Sequence, residues 1–198
     1  MAAFLVPVGP ASGALSWQVD GSMGYLFVSE AQGEPWFKDT ALPAVSVGFG
    51  GGTWLVGAAA DYCRRTTSYE GMVPGYTDLN ETVEHQVRNS SFRAFARYYP
   101  GGREKWVAPY LGVGVGPGFT SVEHTGAISS RSVSDREFRM SYAGSLGAQM
   151  NFKSLPVHTF LEVSYGGLGE ISDLPEGSMV PAEELTFVSV AVGVGTSF

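Results

Sequence analysis

The chain is short of charge, of cysteine and of long apolar runs, and each shortage closes off a class of protein. Only 16% of its 198 residues are charged, where soluble domains carry about 25%. One cysteine, Cys63, leaves no internal disulfide. It falls inside a strand pattern rather than at the amino-terminus, so it reads as a small buried residue and not as a lipid anchor. No stretch approaches the roughly 18 apolar residues of a transmembrane helix. Basic residues are few: 12 Lys and Arg against 19 Asp and Glu, for a net charge of -7. That balance argues against nucleic acid as a partner. Histidine is scarce too, and no pair has metal-ligand spacing. His85 and His124 are expected in separate loops, solvated, and no metal or cofactor is expected.

Glycine and aromatics are abundant instead, with 27 Gly and 13% Phe, Trp and Tyr. The final stretch, residues 185–198, shows how they are used. Val188, Val190, Val192, Val194 and Thr196 alternate with Ser189, Ala191, Gly193, Gly195 and Ser197. One face suits hydrocarbon and the other a crowded polar interior. This two-residue period belongs to a transmembrane β-strand. With no spanning helix, such a chain enters lipid only as a closed barrel, because lipid offers backbone polar groups no partners.

Alternating segments are expected at 16–28, 43–50, 53–65, 87–99, 106–120, 136–152, 157–166 and 184–198. Short connections at 50–52, 100–105 and 153–156 alternate with long ones at 29–42, 66–84, 121–135 and 167–183. Short periplasmic turns and long external loops mark bacterial outer-membrane barrels. The expected architecture is therefore all-β: a closed, eight-stranded, antiparallel up-and-down barrel over 15–198, with 1–14 a segment of unknown structure. Residues 1–10 are apolar but lack the basic start of a signal peptide. A signal removed on export is expected, with Met1 added to the mature chain, and the bacterial outer membrane is the expected location.

The two faces can be assigned residue by residue. No residue placed outward is charged, and the aromatics fall at strand ends. Trp17, Trp54, Tyr98, Phe152 and Phe198 lie near the short turns, and Tyr62, Phe92, Phe138 and Tyr165 near the long loops. Two belts separated by an aliphatic band match the two membrane–water interfaces. Inward fall three acids and three arginines: Asp20, Asp61, Glu162, Arg93, Arg97 and Arg139. Charges inside a narrow lumen are costly unless paired, so a balanced network is expected, with Asp61 and Arg93 as one pair. Eight strands leave room inside for side chains but not for a water channel.

The stretch Trp106-Val-Ala-Pro-Tyr-Leu-Gly-Val-Gly-Val-Gly-Pro-Gly118 resembles the fifth strand of small OmpA-type outer-membrane barrels. Arg97-Tyr-Tyr-Pro100 and the terminal Phe198 fit the same pattern. The resemblance is one of architecture over about 15–198. It implies insertion by the barrel-assembly machinery reading the last strand, and a structural, adhesive or small-ligand role. The periplasmic peptidoglycan-binding domain of OmpA has no counterpart in these residues.

Some small barrels modify lipid A, and the deacylase type carries His-x-Ser-Asn on a strand. Here the nearest match is Glu162-Val-Ser164, with a glutamate where the base belongs. His158, on the same face, is the one residue that could serve Ser164. Gly112-Val-Gly-Val-Gly116 lies in a strand with no helix after it, so it is no phosphate loop. The loop residues Tyr69, Met72, Val73 and Tyr76 offer a contact surface. The loops are mostly acidic, which gives no reason to expect a grip on anionic lipopolysaccharide. The sequence thus points to a non-enzymatic structural or interaction barrel, with outer-membrane lipid around it and a protein partner at the extracellular loops. A subunit of an envelope assembly, a carrier of a small hydrophobic compound with a lateral opening, and a lipid A-modifying enzyme are the alternatives.

Overall fold

The computed structural model describes residues 15–28, 40–76, 79–152, 155–169 and 185–198. The amino-terminal segment 1–14 and most of the first and fourth long connections lie outside the described residues. Eight strands run in chain order: β1 (Ser16–Val28), β2 (Thr40–Gly51), β3 (Trp54–Gly71), β4 (Glu81–Tyr98), β5 (Val107–Gly126), β6 (Ser132–Asn151), β7 (Val157–Leu168) and β8 (Leu185–Ser197). Each pairs antiparallel with the next, and β8 pairs back with β1, so the barrel is closed. At that seam the Trp17 N–H donates to the Phe198 carbonyl at 2.8 Å, and the Phe198 N–H donates to the Trp17 carbonyl at 3.0 Å. Closure leaves no unpaired strand edge, the condition for standing in lipid.

Period-two alternation becomes two chemically distinct faces. Outward stand Val19, Met23, Tyr25 and Phe27 on β1, Val45 and Val47 on β2, and Trp54, Val56 and Tyr62 on β3, all exposed. Leu111, Val113 and Val115 on β5, Met140 and Leu146 on β6, Leu161 and Val163 on β7, and Val188 to Val194 on β8 continue the girdle. So many exposed large apolar side chains suit hydrocarbon rather than water.

The strands differ in length, and here the sequence expectation needs correction. β1, β2, β7 and β8 have 12 or 13 residues, but β3 and β4 have 18 and β5 and β6 have 20. Roughly 9–11 residues cross the hydrocarbon. The excess lies at the end of the long connections, in segments 66–84 and 121–135 that read as loops. They are ladder instead: Thr66 pairs with Gln86, Gly71 with Glu81, and Thr125 with Ser132. Only residues 127–131 connect β5 to β6. The cause is solvent. Beyond the apolar girdle the outward positions become polar (Arg64, Thr66, Thr82, Glu84), while the buried inward ones mix valines (Val83, Val87, Val122) with polar groups such as His85 and His124. The apolar-outward alternation is lost there, as in a barrel standing in water.

Candidate functional site

The interior is filled in layers, each set by which residues the inward phase delivers at that height. At the mouth on the short-turn side the β4–β5 turn folds under the barrel. There the buried Arg103 side chain bonds Ser16 of β1, and the Arg103 backbone N–H donates to the Gly52 carbonyl at 2.9 Å. Asn151 at the end of β6 donates to the Arg103 and Lys105 carbonyls, both at 2.7 Å. Gly102 takes a φ of 89° in this turn, a conformation that costs a side chain energy.

Above this floor lies the main ionic layer. Asp20 accepts hydrogen bonds from Gln18 at 3.0 Å, Arg97 at 2.9 Å and Ser46 at 3.3 Å, and His158 Nε2 lies 2.8 Å from its other oxygen. Arg97 reaches Glu162 as well, at 3.3 Å, and Tyr110 donates to Glu162 at 2.8 Å. The Arg97 guanidinium lies over the rings of Tyr110, Phe95 and Phe160, 4.9, 5.0 and 5.6 Å from their centres. Leu55, Tyr99, Ala108 and Tyr110 pack around this layer as a buried cluster. A buried carboxylate with four polar partners, one of them a cation, is a satisfied group.

One layer up, Asp61 pairs with Arg93 and accepts from Ser91 at 2.8 Å. Between the two layers is a cavity of about 70 Å³ lined by Arg93, Arg97, Glu162, Ser145 and Ser164 among others. That is room for a few waters bridging polar walls. Arg139 is 1% exposed and points inward from β6 beside Gly118 of β5.

The next layer is apolar. Leu26, Leu42, Cys63, Val87, Val122 and Leu168 form a cluster across the lumen, with Phe187 against it. A second cavity, of about 20 Å³, lies among them. The sequence reading of the lumen as polar throughout missed this layer. The signal was present, since these residues keep the inward phase toward the long-connection end.

Above it His85 and His124, expected as solvated loop residues, are buried on β4 and β5 and face each other directly in register. His85 Nδ1 lies 3.2 Å from His124 Nε2, and the Tyr69 hydroxyl lies 3.4 Å from His124 Nδ1. Burial pushes the His85 imidazole down to about 4, with the His124 and Arg65 charges adding to the effect. Burial lowers His124 too. Glu81, at the start of β4, accepts from the Ile128 and Ser129 N–H groups at 2.6 and 2.9 Å and from the Ser129 hydroxyl at 2.5 Å. These bonds, the Ser129 hydroxyl's foremost, hold its carboxyl below the usual range. They tie the β5–β6 turn to β4.

The hydroxyl of Ser164 shares a 2.6 Å hydrogen bond with Ser189 on β8. His158 is turned to Asp20 rather than to Ser164. The arrangement therefore lacks the nucleophile–base contact that acyl transfer requires. Among the described residues no group of three or more His, Cys, Asp or Glu side chains could hold a metal ion.

On the outside, Trp17, Trp54, Tyr62, Phe92, Phe138, Phe152, Tyr165 and Phe198 are exposed. Tyr98 is half-buried beside Trp54, ring centres 4.7 Å apart. Trp17 packs on Phe49 at 5.1 Å and Phe119 on Phe138 at 5.7 Å.

No protein-family model matches the chain, and neither does any curated protein. Solved structures do. Neisserial surface protein A is 14% identical over 93% of this chain and 97% of its own, with a TM-score of 0.58. A major outer membrane protein from Thermus thermophilus is 11% identical over 92% and 99%, with a TM-score of 0.60. Ail, the attachment invasion locus protein of Yersinia pestis, is 15% identical over 94% and 99%, with a TM-score of 0.54. At such identities the likeness is one of fold. Joined to the closed ladder of eight strands and the uncharged girdle, it shows that this chain has the fold of the small OmpA-type outer-membrane β-barrels.

Proposed function

We propose that this chain is a non-enzymatic outer-membrane barrel whose lumen is a plug rather than a path. Its work is then done on its outer wall and extracellular rim, as a structural or interaction protein of the envelope. The observation that carries this reading is the stacking of closures: the Arg103 floor, the Asp20–Arg97–Glu162 layer and the apolar layer above. A solute would have to break buried ion pairs and part a packed apolar cluster, each costing several kcal/mol. Ser164 and His158 are both engaged elsewhere, which supports the absence of catalysis. The barrel-assembly machinery, reading the strand that ends in Phe198, is the proposed route of insertion.

Expression of the chain in an outer membrane, followed by mass analysis of lipid A, tests the non-enzymatic part. Unchanged lipid A masses are expected. A new mass that disappears with Ser164→Ala would overturn it.

One observation favours a second reading, binding of a small hydrophobic compound. The apolar layer forms part of a cavity wall, where Leu26, Leu42, Cys63, Leu168 and Phe187 stand beside the polar Asp61, Asn89, Ser91, Ser141 and Thr186. At about 20 Å³ it holds no more than a water-sized guest as it stands. A carrier role therefore requires the layer to open, and a Cys63-attached probe reporting apolar ligand entry would favour it.

A further inference from the structure

One row of side chains on the outer wall fits neither lipid nor an idle solvated face. Tyr62, Ser90, Phe119 and Phe138 share a row across β3, β4, β5 and β6 at the upper aromatic belt. Two residues nearer the rim, Arg64, Arg88, Ser121 and Arg136 share the next outward row, aligned in register across the same strands. All three arginines are exposed. Neighbouring strands lie about 4.8 Å apart, so the row is roughly 14 Å long. The row above it holds Thr66, Gln86, Glu123 and Ser134.

The arginines are placed, not merely present. The Arg88 guanidinium is held by Gln86, and by Glu123 at 3.2 Å. The Arg136 guanidinium lies 5.1 Å from the centre of the Phe119 ring. Glu123 is the only carboxylate in either row, and among the described residues Arg64 and Arg136 pair with none. Among the described residues the wall is one-sided. Toward the rim, the outward positions of the other strands are Phe27, Ala41, Gly167 and Thr186, all uncharged. In a chain with a net charge of -7, three arginines at the hydrocarbon edge of one wall make a local positive strip.

We propose that this strip binds the phosphate groups of an anionic glycolipid headgroup in the outer leaflet. The proposal rests on reading the chain as an outer-membrane barrel with this end outward. Arginine forks match phosphate oxygens two at a time. The aromatic row beneath receives the start of the acyl chains, and Ser121, at the centre of the strip, offers a hydroxyl between Arg88 and Arg136. The outward carboxylates Glu84 of β4 and Glu70 of β3 lie further up the wall than Glu123, so they do not cancel the strip.

The test is native mass spectrometry of the protein in detergent micelles titrated with diphosphoryl lipid A, with phosphatidylcholine and inorganic phosphate in separate arms. The wild type is expected to retain the diphosphoryl lipid preferentially. The Arg64→Gln/Arg88→Gln/Arg136→Gln variant should bind it about a hundred-fold more weakly, at roughly five-fold per basic residue near a charged membrane surface. The Arg64→Gln/Arg136→Gln variant leaves the Arg88 hydrogen bonds intact and should lose roughly 25-fold. Equal binding by wild type and either variant, or equal retention of phosphatidylcholine, overturns the site. Displacement of the lipid by an equal concentration of inorganic phosphate would reduce it to a free-phosphate site and also overturns it. Heat-resistant, folded migration on gels is checked first. Its absence in the wild type would overturn the barrel reading, a failure distinct from a folded barrel that ignores lipid A.

Discussion

At the residue scale, Arg97 holds the interior together, bridging Asp20 and Glu162 while three aromatic rings surround its guanidinium. Arg97→Met keeps the bulk and removes the charge, leaving the buried Asp20 and the half-buried Glu162 without their shared cation. A loss of about 3–5 kcal/mol is expected in urea unfolding of the vesicle-inserted barrel; an unchanged midpoint would mean that this network does not hold the lumen. The histidine pair gives a pH dependence. His85 is lowered from the ordinary 6.5 to about 4, so the unfolded chain binds its proton first. Stability should be fully present above pH 6.5, fall as pH drops from there toward 4, and level off below. His85→Gln should flatten that slope, as read from unfolding midpoints across the range. The six inward charges were legible because each stands between two uncharged outward neighbours in the two-residue period. The histidine pair was not, because the flanking Glu84, Gln86 and Glu123 make its surroundings look like a polar loop.

At the element scale, the wall formed by the ends of β3 to β6 decides what the outside of the molecule can do. Its amides are in ladders, so hydrogen exchange at residues 81–88 and 120–126 should be slow, where loops would exchange freely. Fast exchange there would refute the extended wall. Glycines let the inward aromatics fit. A Cβ at Gly147 would overlap the Tyr110 ring, whereas one at outward Gly144 meets nothing within 4 Å. Gly147→Ala should cost about 1–3 kcal/mol from overpacking, and Gly144→Ala should be close to neutral in the same unfolding assay. Strand number and phase were legible in the sequence because lipid enforces apolar residues outward. The strand extensions were not, because in water the rule lapses: Val83 and Val87 turn inward and Glu84 and Arg88 outward. A pattern read as apolar-outward then looks like no pattern.

At the scale of the whole molecule, the barrel is closed around its circumference by the β1–β8 ladder and along its axis by successive layers of floor, ion pairs and apolar side chains. That division was half legible. The balance of three acids and three arginines pointed to a filled lumen, but the apolar layer and the Arg103 floor depend on how distant turns and strand ends converge. The most direct measurement is single-channel recording of the purified, folded protein in a planar lipid bilayer, beside Arg97→Met. The account expects no steady open conductance from the wild type, and at most brief, irregular openings from the variant as its layer loosens. A stable, ohmic conductance of porin size from the wild type would show an open path through the lumen and contradict the plugged barrel.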